Sequence, residues 1–139
     1  MGLFTELTAI DLSPRRRNNM LAYLASPFSH PDHHVRHNRW ALACHACADL
    51  IKSGIHCISP IAASYHVALS GDIDGCYETW REIDRKLLRR CDSLIVLCID
   101  GWDRSAGVAD ELQYAKELGL PISYYTRKTG ITLTPPPKE

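Results

Sequence analysis

The sequence predicts an α/β domain: a three-layer sandwich in which helices cover both faces of a mostly parallel sheet of four to five strands. Strand-length apolar runs alternate with longer, helix-length segments through most of the chain. The run 93–98 is continuous and β-branched in its middle, which is typical of a parallel strand buried on both faces. Gly54 and Gly119 stand where two predicted helices should end, because glycine readily adopts the left-handed conformation that closes a helix.

The first elements follow from a sharp change of composition. Residues 20–25 form a short apolar run, and a polar loop containing prolines follows at 26–31, which favours a buried strand. A helix then runs to about Ser53, with Ser29 or His30 as its cap and Pro31 at its first position.

The rest of the chain continues the alternation. The predicted elements are a strand at 55–59, a long loop at 60–75 with one helical turn near 62–69, a helix at 76–90, the strand at 93–98, a loop at 99–104, a helix at 105–118, a strand at 122–125 and an edge strand at 131–133. Such an order predicts a flavodoxin-like (Rossmann-like) sheet, in which ligands bind outside the carboxyl ends of the strands.

Flanking segments are predicted at both ends of the chain. Residues 1–18, which include the charge run Arg15–Arg17, read as a peripheral leader. Residues 19–134 form the domain, and 135–139, with three prolines, form an extended tail.

Composition limits the classes of partner. The chain has 139 residues with 16 basic and 16 acidic side chains, so its formal net charge is zero. A nucleic acid polymer is therefore not an expected partner, since proteins that bind one usually carry a basic excess. No apolar run approaches the ~20 residues of a membrane span, and the N-terminus lacks a signal-peptide pattern. Most of the six cysteines lie in apolar contexts, so we expect a cytoplasmic protein with reduced thiols and no membrane partner.

The strongest chemical pattern begins after the strand at 93–98. Ser105, Ala106 and Gly107 would present free backbone N–H groups at a helix start, which binds anions. Glu111 follows about one to two turns later, close to the position of a sugar whose phosphate lies at the helix start. On spacing alone, an exposed helix carboxylate is the commoner outcome.

Asp84, on the preceding predicted helix, is a second carboxylate. Glycosidic cleavage commonly uses two carboxyl groups in different environments, one ionised and one holding a proton. By itself Asp84 is one acid among several, and Asp92, between a helix and a strand, is interpreted as structural.

Three segments resemble the nucleoside 2-deoxyribosyltransferase-like superfamily, which includes deoxynucleoside monophosphate N-hydrolases and cytidylate hydrolases. The sequence Tyr-Leu-Ala-Ser-Pro-Phe-Ser at 23–29 resembles its first strand and substrate loop, as found in a largely bacterial and phage branch. Residues 84–97 resemble the helix and strand that carry the family's aspartate. The pattern Ser105-x-Gly107-x-x-x-Glu111-Leu112 resembles its phosphate-binding and nucleophile signature. Together these segments fall within residues 20–126.

The resemblance implies roles for these residues. Glu111 would attack the anomeric carbon and form a covalent glycosyl-enzyme, and Asp84 would help the base to leave. Ser105 and Gly107 would hold a 5′-phosphate or 5′-hydroxyl, and Tyr23 would line the sugar pocket. The first loop would contact the substrate through Ser26, Pro27, Phe28 and Ser29.

The other predicted substrate contacts match the family's pattern less closely. Its monophosphate hydrolases carry an arginine in the first loop, where this chain has Ser29 and His30, so Arg104 is the expected source of positive charge. Trp102 would stack on a base or pack against the fold, with packing favoured. His66, beside Tyr65, would face the base.

The sequence thus predicts an N-glycosidase that acts on a nucleoside or nucleoside 5′-monophosphate, as a hydrolase or a deoxyribosyltransferase. Two carboxylates and a helix start can carry the chemistry, so no metal or organic cofactor is expected. The resemblance also implies a homodimer or larger homo-oligomer, in which the segment after Tyr125 contributes to a neighbour.

Four alternatives stay open. Segments 33–37 and 44–47 concentrate histidine and cysteine on one predicted helix, but no second cluster has zinc-site spacing. Cys98 is a candidate nucleophile near the sheet edge, although packing is favoured for it. A non-catalytic nucleotide-binding or signalling module would use the same fold, and a purely structural protein is the weakest alternative.

Overall fold

The structure, a computed structural model, describes residues 19–137. The predicted leader 1–18 and the last two residues of the tail lie outside that range, and residues 135–137 have no regular structure. The elements are β1 (Ala22–Ala25), α1 (His33–Lys52), β2 (Cys57–Ile58), α2 (Pro60–Ser70), α3 (Tyr77–Leu88), β3 (Ser93–Leu97), α4 (Ala106–Glu117), β4 (Ile122–Thr126) and β5 (Gly130–Thr132). A 3-10 turn, Trp102–Arg104, precedes α4.

The predicted fold class is confirmed. The five strands lie in the order β2-β1-β3-β4-β5. The first four are parallel, and β5 pairs antiparallel with β4. After β1 the chain moves to β2 on one side and then returns to β3 on the other. The order therefore reverses between β1 and β3, and their carboxyl ends flank the crevice in which such sheets bind ligands.

The sheet is covered on both faces. Side chains of β1 alternate: Ala22 and Leu24 pack under α1, whereas Tyr23 and Ala25 pack under α3 and α4. The β3 residues Leu94 to Leu97 are all buried, as predicted for a strand covered on both sides.

Several local predictions are confirmed. Gly54 follows α1 with φ of +87°, and Gly119 follows α4 with φ of +71°. The carboxylate of Asp92 accepts a hydrogen bond of 2.8 Å from the Leu21 backbone N–H, which joins the starts of β1 and β3 and supports the structural interpretation of this residue.

Two predictions about helices are wrong. Residues 60–70 form the eleven-residue helix α2 rather than a long loop with one turn. Ser59 caps α2 by accepting a 3.1 Å hydrogen bond from the Ala62 N–H, and Pro60 occupies the first turn, where its missing N–H costs nothing. Helix α1 is capped by Asp32, not by Ser29 or His30, because the Asp32 carboxylate accepts the His34 N–H at 2.9 Å.

Among residues 19–137, no helix has the length and apolar character needed to cross a lipid bilayer.

Candidate functional site

A cleft of about 1140 Å³ opens at the carboxyl ends of β1 and β3. Helices α1 and α2 form one wall, and α3 and α4 form the other. Eight of the twelve predicted site residues line it: Ser26, Phe28, Ser29, Asp84, Arg104, Ser105, Gly107 and Glu111.

Glu111 is a partly buried carboxylate within this cleft. Tyr23, which has no exposed surface, donates a hydrogen bond from its hydroxyl to Glu111 Oε2. Burial raises the pKa of Glu111 to about 8, and the nearby charges of Asp84 and Asp110 act in the same direction. The hydrogen bond from Tyr23 opposes this shift because it favours the ionised carboxylate. Tyr23 therefore lies beneath Glu111 rather than lining the cleft.

Asp84 projects from α3 into the same cleft. Burial raises its pKa to about 6. Asp84 and Glu111 line the same cleft from α3 and α4, and the charge of Asp84 helps to raise the pKa of Glu111. Such a pair titrates in two steps, and between them it holds a single proton.

Asp110, next to Glu111, is neutralised by two arginines from α3. Arg81 and Arg85 each place Nη2 at 2.9 Å from Asp110 Oδ1, and they hold the pKa of Asp110 below its usual range. Arg85 also lies over the Tyr114 ring, 4.4 Å from its centroid. These contacts join α3 to α4 and offset, without abolishing, the effect of the Asp110 charge on Glu111.

The start of α4 has the free donors that an anion-binding position requires. Ser105 caps the helix, and its Oγ accepts the Val108 N–H at 3.1 Å. Within residues 19–137, no acceptor takes the N–H groups of Ala106 and Gly107. Gly107 is exposed on the cleft without a side chain, so a ligand can approach these donors closely.

The loop after β1 adds a second unsatisfied group. Ser26 lines the cleft at 6% exposure, and its hydroxyl has no hydrogen-bond partner among the described residues. An orphaned buried hydroxyl costs about 1–3 kcal/mol, which a ligand atom in the cleft would recover.

An aromatic wall stands at the α1–α2 side. Phe28 meets the edge of Tyr65 with ring centroids 5.6 Å apart, and Tyr65 stacks on Trp40 at 5.1 Å. Phe28 and Tyr65 line the cleft, so they offer apolar surface to a planar group.

Arg39 of α1 ties the two loops of the crevice together. Its Nη1 donates to the Ser29 carbonyl at 2.9 Å, and its Nη2 lies 3.5 Å from the Asp100 carbonyl. Gly101 has φ of +90°, and a Cβ there would lie 2.5 Å from Arg39 Nη2. The glycine is required both by its backbone conformation and by the guanidinium beside it.

We expect Gly101→Ala to destabilise the fold by about 2–3 kcal/mol, since backbone strain adds to displacement of Arg39. Gly54→Ala is the matched control: its φ is +87°, and nothing lies within 4 Å of its added Cβ. Urea unfolding should show the control losing only about 1 kcal/mol. Equal losses would show that the contact with Arg39 contributes nothing.

Three predicted substrate residues lie elsewhere. Trp102 packs edge-on against Tyr124 of β4 at 5.8 Å, beside the core that lies under α3 and α4. His66 packs against Trp40 at 4.8 Å, since it follows Tyr65 on α2 and points away from the cleft. Pro27 is fully buried beneath the loop.

Some of the histidines and cysteines considered as metal ligands or nucleophiles lie close together, but each has another structural role or partner. Asp32, His33 and His34 offer ligand atoms within 4.8 Å of one another, but all three are exposed and the Asp32 carboxylate already caps α1. The free thiol of Cys47 forms a hydrogen bond with that of Cys57, with the two sulfur atoms 3.4 Å apart, rather than with Cys44. Cys98 packs in the core beside α4.

Sequence reasoning missed several residues of the cleft. Arg36 and Arg39 lie three apart on α1, and Arg81 and Arg85 lie four apart on α3, so each pair shares one face of its helix. The pair Ser59-Pro60 is a helix-start signature and could have placed Tyr65 on a helix facing the cleft.

Comparison with protein families gives one finding. A family model described as "Domain of unknown function (DUF1937)" matches residues 20–127. Comparison with curated proteins finds no match.

Proposed function

The chain belongs to the DUF1937 family, and from the geometry of its cleft we propose that it is an N-glycosidase acting on a nucleoside or nucleoside 5′-monophosphate. One observation carries the proposal: Glu111, partly buried in the cleft, accepts a hydrogen bond from Tyr23 and lies near a second partly buried carboxyl group, Asp84. Two carboxyl groups of unequal pKa are what glycosidic cleavage requires.

The proposed reaction has two steps. A carboxylate oxygen of Glu111 attacks C1′ while the bond from C1′ to the base nitrogen breaks, and the leaving nitrogen takes the proton of Asp84. Water then attacks C1′, gives its proton to Asp84 and displaces Glu111 as a carboxylate. The products are the free base and the sugar or sugar phosphate. If a second base attacks instead of water, the same site acts as a transferase.

Near neutral pH the pair holds the single proton that this scheme needs. Between about pH 6 and 8 the two carboxyl groups share one proton. The reactive form has Glu111 ionised and Asp84 protonated. Because Glu111 has the higher pKa, this is the minor of the two singly protonated forms in the empty cleft. The hydrogen bond from Tyr23 favours ionised Glu111 and so raises the population of this reactive form.

The remaining groups suit the rest of a nucleotide. The free N–H groups at the start of α4 would hold a 5′-phosphate or 5′-hydroxyl, and the aromatic wall of Phe28 and Tyr65 would contact the base.

The proposal also includes self-association of the chain. Ile131 and Leu133, near the edge strand β5, are 41% and 54% exposed and could pack against a second copy.

The test is release of free base. The purified chain would be incubated with ribo- and deoxyribonucleosides and their 5′-monophosphates, with and without an added acceptor base, and the products separated by chromatography. Free base from at least one compound supports the proposal, and exchange with the acceptor identifies a transferase. If free base is released from none of the compounds, the proposed enzymatic activity is rejected.

We expect Tyr23→Phe to lower kcat/KM at pH 7 by about 10- to 100-fold, because a hydrogen bond to a charged group contributes about 1.5–3 kcal/mol. Without it the pKa of Glu111 rises, so the alkaline limb of the pH profile of kcat/KM should move to higher pH. Tyr114→Phe, whose hydroxyl accepts from Arg89 outside the cleft, is the control. An unchanged profile in Tyr23→Phe would contradict the assigned role of this hydrogen bond.

A further inference from the structure

Two arginines of α1 line the cleft and form no ion pair with a carboxylate of the described residues. Arg36 Nη1 donates to the carbonyl groups of His30 and Pro31, the latter at 3.2 Å, and Arg39 is held by the carbonyls of Ser29 and Asp100. Within residues 19–137, no acidic side chain forms an ion pair with either of them.

The other arginines of the cleft differ in this respect. Arg81 and Arg85 are paired with Asp110, and Arg104 with Asp100 and Asp103. The carbonyls that hold Arg36 and Arg39 orient the guanidinium groups but do not cancel their charges. Both side chains are partly buried, so their charge is screened less than that of fully exposed side chains. The α1 wall therefore carries two oriented positive charges that can bind an anion.

A separate anion-binding position faces this wall. It consists of the N–H groups of Ala106 and Gly107 at the start of α4 and the unpartnered hydroxyl of Ser26. Helix α1 packs on one face of the sheet and α4 on the other, so the two positions approach the crevice from opposite layers. Arg39 contacts the carbonyls of Ser29 and Asp100, so its guanidinium lies between the loops that follow β1 and β3. The same loops carry Ser26 and lead into the start of α4.

The cleft is large for a small-molecule site. At about 1140 Å³ it exceeds the usual range, roughly 300–1,000 Å³. Arg36 and Arg39 line it together with the two carboxylates and the aromatic wall, so all these groups face the same ligand space.

We infer that the substrate carries a phosphoanhydride. One phosphate binds at the start of α4 with Ser26, and the next binds Arg36 and Arg39. This inference rests on the proposed function for the sugar and base. Two sources share the chemistry, a nucleoside 5′-diphosphate and a dinucleotide joined through pyrophosphate.

Inorganic anions test the two positions without the base or the chemistry. Titration calorimetry of the full chain, in low salt and without divalent cations, should show inorganic pyrophosphate binding at least tenfold more tightly than inorganic phosphate. Arg36→Gln should weaken pyrophosphate at least fivefold and change phosphate less than twofold. Arg90→Gln is the matched control, because Arg90 is also held by a main-chain carbonyl, that of Lys86, but lies outside the cleft.

Arg39→Lys is a second variant, which keeps the positive charge but loses the fork that spans two loops. It should weaken the binding of pyrophosphate more than that of phosphate, and cooperative urea unfolding should confirm that the variant is folded. Equal affinity for the two anions in the wild type would overturn the inference, as would an equal loss of both in Arg36→Gln.

Failure here is distinguishable from failure of the proposed function. Base release from nucleosides or monophosphates without preference for pyrophosphate would reject the phosphoanhydride but leave the glycosidase intact. Preference for pyrophosphate without base release from any nucleotide would reject the glycosidase alone. Base release from a nucleoside 5′-diphosphate compared with that from a pyrophosphate-linked dinucleotide would identify the source.

Discussion

Glu111→Gln is expected to lower base release by at least about 10³-fold while substrate binding is retained. The amide has nearly the shape of the carboxylate and can still accept the hydrogen bond from Tyr23, but it is not a nucleophile toward C1′. The measurement is kcat from chromatography of the free base, with substrate affinity from calorimetry. Glu117→Gln, an exposed substitution on the same helix, should match the wild type.

The same variant has a stability signature. Burial raises the pKa of Glu111 from an ordinary value of 4.5 to about 8, so the folded state holds a proton that the unfolded state releases. This stabilisation is complete below pH 4.5 and is lost as pH rises through about 8. Glu111→Gln removes the dependence, so at pH 9 its Tm should exceed that of the wild type by roughly 5 °C.

Two results would contradict the role of Glu111. Base release by Glu111→Gln within tenfold of the wild type would exclude this residue as the nucleophile. Tight nucleotide binding with no base release in the wild type would favour the non-catalytic module.

Asp84→Asn is expected to lower kcat/KM at pH 7 by about 10²–10³-fold, because the leaving base loses its proton donor. The wild-type profile of kcat/KM should be bell-shaped, with limbs near pH 6 and pH 8. In Asp84→Asn the alkaline fall should disappear, leaving a single limb that rises as Glu111 ionises. Glu82→Gln, exposed on the same helix, is the control.

A substrate comparison sharpens this test. A substrate whose base leaves readily without a proton should restore much of the rate in Asp84→Asn, since general acid catalysis then contributes little. An alkaline limb that persists in Asp84→Asn would show that another group supplies the proton.

Most of the architecture could be predicted from local sequence patterns. The continuous apolar run of β3 and the glycines after α1 and α4 are local signals, and each corresponds to what the structure contains. Helix α2 was missed although Ser59-Pro60 marks its start, because the apolar and small residues of 60–70 show no clear two-sided pattern. The cap of α1 was misplaced because several residues of 29–32 can serve as caps.

The candidate site could be predicted only in part from the sequence. Motif spacing identified Glu111, Asp84 and the start of α4, and the structure brings them to one cleft. It also placed Trp102 and His66 near the ligand, whereas the structure packs both against other aromatic rings. Arg36 and Arg39 were passed over, since arginines on a helix usually face solvent.

By itself, the sequence determined the order of strands and helices and the edge of the sheet at which chemistry would occur, because apolar periodicity and helix ends depend on neighbouring residues. Only the tertiary structure decided which side chains meet there. Tyr23 and Glu111 are 88 residues apart, and their hydrogen bond exists because β1 lies beneath α4. Burial raises the pKa values of both groups, and the carbonyls of Ser29 and Asp100 orient Arg39. Both effects depend on contacts between segments distant in the chain.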